Sequence, residues 1–371
     1  AWRPDAAGGG RWATRIERLQ VGSWDGSEAT LPPASSWAEA RDLRAELDFA
    51  ADGSLAALRA DPGQLRLADT LAMRWEEVRV DLRTGAPQIT ARADIEPFAV
   101  APLLARVQPT AGWQGDLKLA ARLDLRAAGR LDADLVIERR EGDLRLSDAT
   151  GAQSMGLTEL KLSLSTHDGL WNLDPVLRGS RIGEVTGRVQ VRATPQQLWP
   201  QPDAPVTGAV LANVADLGIW SAWVPAGWRL GGTLRGLAVL SGRFGDPRFD
   251  GGLGGSGLSV RNLLQGVNVA DGEVDIRLNG DTARIERFTL RGGEGRINVS
   301  GGASLGRAPQ ARVEVVAERF RVLGRVDRLV IASGRAELVL QEAAARLDGK
   351  FGIDEGLFDI TRADAPSLDD D

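Results

Sequence analysis

From Leu43 onward, apolar and charged residues alternate with a period of two: Leu43, Ala45, Leu47 and Phe49 interleave with Arg44, Glu46 and Asp48. The beat recurs at Val78 and Val80, at Ile89, Ala91, Ala93 and Ile95, and again through Val274, Ile276 and Leu278. A strand points successive side chains to opposite faces, so this period predicts half-buried β-strands rather than helices. Asp52-Gly53, Asn279-Gly280 and the glycine pairs Gly292-Gly293 and Gly301-Gly302 read as turns between them. At Glu286-Arg287 the phase slips by one residue before Phe288 and Leu290 resume the apolar series, which predicts a β-bulge. The expectation is an all-β chain, an antiparallel meander of roughly 20 or more strands at the usual spacing. Laid flat it would be about 100 Å wide, so it must close as barrels, stack as sandwiches or curl.

Two stretches break the alternation. Pro97 to Val107 and Ala215 to Val224 cluster their apolar residues and read as one or two helical turns. The segments just after the two breaks are similar: AGWQGDLKLAARLDL from Ala111 and AGWRLGGTLRGLAVL from Ala226, an internal repeat with a weaker third copy beginning at Glu318. The chain is therefore divided into an irregular entrance (1–42), a meander ending in the first break (43–110), a β-repeat ending in the second (111–225) and a final meander (226–371).

Composition narrows the function. Of 371 residues none is Cys and only one is His, so thiolate chemistry and multi-histidine metal sites are excluded, and no cofactor is expected. Gly, at 45 residues, is abundant and fits many turns. Acidic residues outnumber basic ones 51 to 45 with no basic block, which argues against nucleic acid. No apolar run is long enough for a transmembrane helix and Ala1 is not an initiator Met, so the chain reads as a piece of a longer protein that does not itself enter a membrane.

The inward series read from the alternation includes Leu47, Phe49, Val78, Val80, Leu119, Leu123, Val274, Ile276, Leu278, Ile285, Ile297, Val299, Val313, Val315, Phe351 and Ile353. Periodicity describes a packed sandwich core and a lipid-holding groove in the same way, with the packed core as the default. Charged residues such as Arg284, Glu286, Arg312 and Glu314 read as a solvated face with cross-strand pairs rather than headgroup ligands. The acidic runs Glu76-Glu77 and Asp369 to Asp371 lack calcium-loop spacing. His167, near Ser163, Ser165 and Asp168, has no nucleophile elbow and reads as a turn histidine. Gly254 to Gly257 and Gly292 to Gly295 lack the Lys-Ser/Thr of a phosphate loop and read as turns. All 11 Trp lie at or before Trp228, with Trp113 and Trp228 equivalent in the repeats; they read as plugs at sheet corners, or with Trp220 and Trp223 as a gate.

The segments GGTLRGLAVLSGRFGDPRFDGGLGGSGLSVRN (231–262), DGEVDIRLNGDTARIERFTLRGGEGRINVSGGASL (271–305) and FGIDEGLFDITRADAPSLDDD (351–371) resemble the TamB family of AsmA-like envelope proteins in their order and spacing. The earlier copy from Ala111 fits more loosely. The resemblance implies a long curled sheet, or β-taco, with a greasy inner groove. It implies a periplasmic location in a Gram-negative cell, within a protein held to the inner membrane by an N-terminal anchor that this chain lacks, as it lacks the family's C-terminal region. The implied partners are phospholipid acyl chains and an outer-membrane barrel of the TamA type. The implied role is non-enzymatic lipid transport and outer-membrane assembly. The competing expectation is a structural stalk with a closed core that recruits partner strands at its edges.

Overall fold

Alternating sequence of this kind satisfies its backbone by pairing each segment with the next. In a computed structural model the chain does so almost without exception. The structure describes residues 2–4, 8–22, 36–67, 71–83, 85–108, 112–148, 151–195, 197, 199–224, 227–304, 309–341 and 344–359. The strands are β1 (Trp2–Pro4), β2 (Gly10–Gly22), β3 (Ser36–Phe49), β4 (Leu55–Ala60), β5 (Gly63–Leu67), β6 (Leu71–Asp81), β7 (Gln88–Ala99) and β8 (Trp113–Gly115). Next come β9 (Lys118–Ala128), β10 (Leu131–Glu141), β11 (Leu144–Asp148), β12 (Gly151–Ser154), β13 (Leu157–His167), β14 (Leu170–Gly179), β15 (Gly183–Arg192) and β16 (Val206–Val214). The last eight are β17 (Arg229–Arg243), β18 (Asp246–Asn262), β19 (Val267–Asn279), β20 (Thr282–Gly292), β21 (Gly295–Ser304), β22 (Gln310–Gly324), β23 (Arg328–Gln341) and β24 (Ala344–Phe358). Helix α1 (Ala101–Val107) and a 3₁₀ segment, Leu217–Trp223, occupy the two breaks in alternation.

Twenty-one of the strands form one antiparallel sheet, and β8, β11 and β12 form a second small one. The large sheet is a meander in which each strand pairs with its chain neighbour, β4 and β5 together acting as one broken strand between β3 and β6. It runs through both helical breaks, because β7 pairs with β9 across α1 and β16 pairs with β17 across the 3₁₀ segment. The large sheet therefore continues past both 110 and 225.

The expectation of an irregular entrance over 1–42 is corrected. All of β1 and β2 and the first part of β3 lie there, with Trp12 opposite Leu47 and Ile16 opposite Leu43. The alternation was obscured because the side carrying apolar residues switches near Glu17 and Asp42, where Asp42 has φ +50°. Two glycine readings are also corrected: Gly254 to Gly257 lies inside β18 and Gly301-Gly302 inside β21. At Gly301 (φ +132°) a Cβ would stand 2.2 Å from the Arg312 carbonyl oxygen, so glycine there lets neighbouring strands approach where any side chain would collide. The weaker third repeat carries no helix; Glu318 lies within β22.

The sheet curls. On a flat sheet β19 and β22 would be about 14 Å apart, three strand spacings of about 4.8 Å. Instead Gly324 N–H donates to Gly266 O at 2.8 Å, and Val269 of β19 is buried with Ala317 and Phe320 of β22. The bulge predicted at Glu286 is present: Asp275 faces Arg287 and Ile276 faces Ile285, leaving Glu286 as the extra residue.

Candidate functional site

Directly opposed residues in an antiparallel ladder share a face, so the registers assign every strand residue to one side of the sheet. One row runs through Leu160, Leu177, Val185, Ala212, Gly236, Leu253, Ile276, Ile285, Gly301, Val313, Leu338 and Leu347, each opposite the next. It crosses β13 to β24, about 50 Å at the usual strand spacing, without a polar or charged side chain. Toward the start of the chain, Ala93, Leu123, Leu135, Leu164, Leu173 and Val189 form a parallel row, and Trp12, Leu47, Leu58, Val80 and Ile89 another.

All sixteen residues of the inward series fall on this face. Phe49 sits two residues from Leu47, and Val78 faces Ala91. Leu278 faces Ala283, Val299 faces Val315, and Ile297 faces Ala317. Phe351 and Ile353 close the series opposite Gly334 and Ala332. Sequence reading passed over Leu135, Leu164, Leu173 and Leu253, whose signal is the same alternation. It also could not show that Gly and Ala fill the gaps in each row.

The burial of this face is uneven. A face packed against a second sheet about 10 Å away would be dry. Of the sixteen, only Val274 is buried; Phe351 and Ile353, on the edge strand, are 51% and 70% exposed, and Leu347 beside them is 71% exposed. Most of the others are half-buried. Fully enclosed apolar clusters occur instead at the ends of strands. In the largest, Trp113, Leu117, Leu144, Leu146, Met155 and Leu157 pack with Ala101 of α1 and Ile219 of the 3₁₀ segment. This plug stands over the β9–β14 end of the face, so Leu119, and Leu177 of the long row, pack against a closed cluster rather than lining an uncovered surface. Ile297 similarly borders the Val269–Ala317–Phe320 cluster. A third cluster at the opposite strand ends buries Val191, Ala204 and Val206 beside Trp171, whose ring meets Trp199 edge-on at 5.2 Å.

Asp143 fastens the plug. Its carboxylate accepts N–H bonds from Leu144 (2.8 Å), Gly156 (2.9 Å) and Leu157 (2.9 Å) and a hydrogen bond from the Ser154 hydroxyl. Burial pushes its pKa up, but those four donors outweigh it and hold the carboxyl below the ordinary range. Trp113 Nε1 donates to Gln108 Oε1 at 3.1 Å, placing this tryptophan as a corner plug, while the buried Trp220 Nε1 has no acceptor among the described residues. Trp228 is half-buried and lies outside the cluster, and the Trp223 side chain lies outside the described residues. A cation also stands on the apolar face: Arg139, opposite Leu119, donates to the carbonyls of Gly142 at 3.0 Å and Thr158 at 3.3 Å.

The other face is an ion-pair lattice across strands. Arg92 meets Asp124 and Arg122 meets Asp94, both at 2.9 Å. Arg335 meets Glu314 at 2.9 Å and Arg312 meets Glu337 at 3.3 Å. These exposed pairs keep that side in water and contribute little each. His167 Nε2 lies 3.1 Å from Asp134 Oδ1 at the end of β13, while Ser165 accepts instead from Asn172 at 3.4 Å. Among the described residues no group of three or more His, Asp or Glu gathers in a way that could hold a metal ion, and no helix is long and apolar enough to cross a membrane. Asp369 to Asp371 and the Glu77 side chain lie outside the described residues.

Compared with known proteins, the chain matches no family, no curated protein and no solved structure.

Proposed function

We propose that this chain is a non-enzymatic stretch of a TamB-like periplasmic bridge, in which the curled sheet shields phospholipid acyl chains on its apolar face as they pass between membranes. The observation that carries the reading is the uncharged row from Leu160 to Leu347, continuous over twelve strands and largely half-buried rather than packed. Each methylene taken from water is worth about 0.8 kcal/mol, so an acyl chain of about 16 carbons resists leaving a bilayer by roughly 10 kcal/mol or more. A uniform apolar row offsets that cost without holding the chain tightly at any one strand. The inner-membrane anchor and a TamA-type barrel partner belong to the same proposal and rest on the sequence resemblance alone.

The test is native mass spectrometry with lipid extraction on the purified chain, together with a photo-crosslinker at Ile276. Co-purified phospholipid crosslinked at that position supports the reading. A lipid-free protein that excludes apolar dyes and gives no crosslink overturns it. That result would favour the second reading, a structural stalk that binds partner strands in outer-membrane assembly, for which the three enclosed clusters speak.

A further inference from the structure

Large apolar side chains are seldom left almost wholly in water, and still less in a group. At one end of the strands Leu263 and Leu264, in the β18–β19 turn, are 85% and 77% exposed, and Val326, in the β22–β23 turn, is 80% exposed. The two turns are one structure. Besides the Gly324–Gly266 bond, Arg325 Nη1 donates to Leu264 O at 2.5 Å, and Asp359 N–H donates to Asp327 O at 2.9 Å. The second bond brings in the end of β24, where Phe358 is 61% exposed. These side chains therefore stand on a backbone-braced tip rather than on loose loops.

The charge around the tip runs against the rest of the molecule. The chain as a whole carries −6, yet residues 261–266, 319–328 and 358–359 together hold five Arg and two acids, Asp327 and Asp359, a surplus of three positive charges. Asp327 is itself shared between Arg325 at 2.8 Å and Arg328 at 3.3 Å. Exposed leucine and valine ringed by arginine is the composition that enters the headgroup region of an anionic bilayer: the apolar tips reach the acyl boundary and the guanidinium groups meet phosphate.

We infer that the joined β18–β19 and β22–β23 turns are a membrane-surface docking tip selective for anionic lipid. The inference stands apart from the proposed conduit, since a protein with a closed core could carry the same tip. The chain has no cysteine, so a single Leu264→Cys labelled with an environment-sensitive dye reports the tip alone. Dye emission should shift to the blue on vesicles of phosphatidylglycerol and phosphatidylcholine, not on phosphatidylcholine alone, and the shift should weaken as salt rises. Co-sedimentation with the anionic vesicles should fall by at least about tenfold in the double variant Leu263→Asp, Leu264→Asp. Replacing Leu237, an exposed residue of the opposite, charged face, by Asp should leave it unchanged, with a melting curve for each variant confirming the fold. Equal sedimentation of the double variant, or no vesicle binding by the unaltered chain, overturns the inference. So does self-association that the double variant abolishes in place of vesicle binding. Crosslinking of lipid at Ile276 is read separately and can succeed or fail without deciding this result.

Discussion

Ile276 and Ile285 stand directly opposite each other on neighbouring strands, and the register that joins them leaves Glu286 with no counterpart. The bulge that takes up this extra residue keeps Ala283 and Ile285 above it, and Phe288 and Leu290 below it, on the same side of the sheet. Deleting Glu286 leaves Ala283, Ile285, Phe288 and Leu290 in an unbroken two-residue alternation with Arg284 and Arg287 still outward, so the bulge is lost and the apolar face is kept. The expected cost is below about 1 kcal/mol, since no apolar side chain changes sides, whereas a variant that turned one outward would lose about 1.5–3 kcal/mol. Urea unfolding of the deletion variant measures it.

Charge placed on the uncovered face should be tolerated. Ile276→Asp and Leu338→Asp put a carboxylate where water already reaches, so each is expected to cost about 1 kcal/mol while removing bound lipid. In a closed core the same substitutions would cost several times more, because the charge would have no solvent. Chemical denaturation alongside lipid extraction separates the two, and strong destabilisation of both variants would refute the uncovered face.

The plug should behave in the opposite way. Leu117 is 2% exposed at its centre. Leu117→Ala is expected to lose about 2–5 kcal/mol, the range for an unrelaxed cavity, whereas Leu173→Ala on the half-buried row should lose about 1 kcal/mol. Thermal or urea unfolding of the pair tests whether enclosed packing is confined to the strand ends.

Asp143 makes the plug sensitive to acid. Its folded pKa lies below the unfolded value, so it stabilises the fold at and above the ordinary carboxylate pKa of about 3.9 and loses that contribution as pH falls through the lower folded value. Asp143→Ala, which strips the acceptors from three backbone N–H groups, should cost about 2 kcal/mol at neutral pH. The difference from the unaltered chain should shrink below about pH 4. A pH series of melting curves for both proteins shows whether the gap closes.

Strand identity and the inward face were legible because a period of two survives in any stretch of β2 to β24 that lacks a bulge. Both short helices were legible from clustered apolar residues at Pro97 to Val107 and Ala215 to Val224. The plug was not, since Ala101, Trp113, Leu146, Met155, Ile182 and Ile219 arrive singly from distant segments with no period in common. Nor was the curl, which depends on backbone freedom at residues such as Gly301 and on two turns meeting across four strands. The exposed tip left no pattern either: Leu263-Leu264 reads locally as one more apolar pair, and only its placement shows how far both side chains stand out into water.

Because each strand of the large sheet is flanked by its chain neighbours, the molecule is built like a ribbon of hairpins, each answerable mainly to the one before and the one after. Stability in such an object is a sum of adjacent interfaces, and ordering can begin anywhere and spread in both directions. Away from the plug and the joined turns, adding or removing one hairpin changes the span by about two strand spacings, roughly 10 Å, and disturbs chiefly the two strands it joins. Reach can thus be adjusted in fixed steps, while the surface that runs along the ribbon continues across every joint.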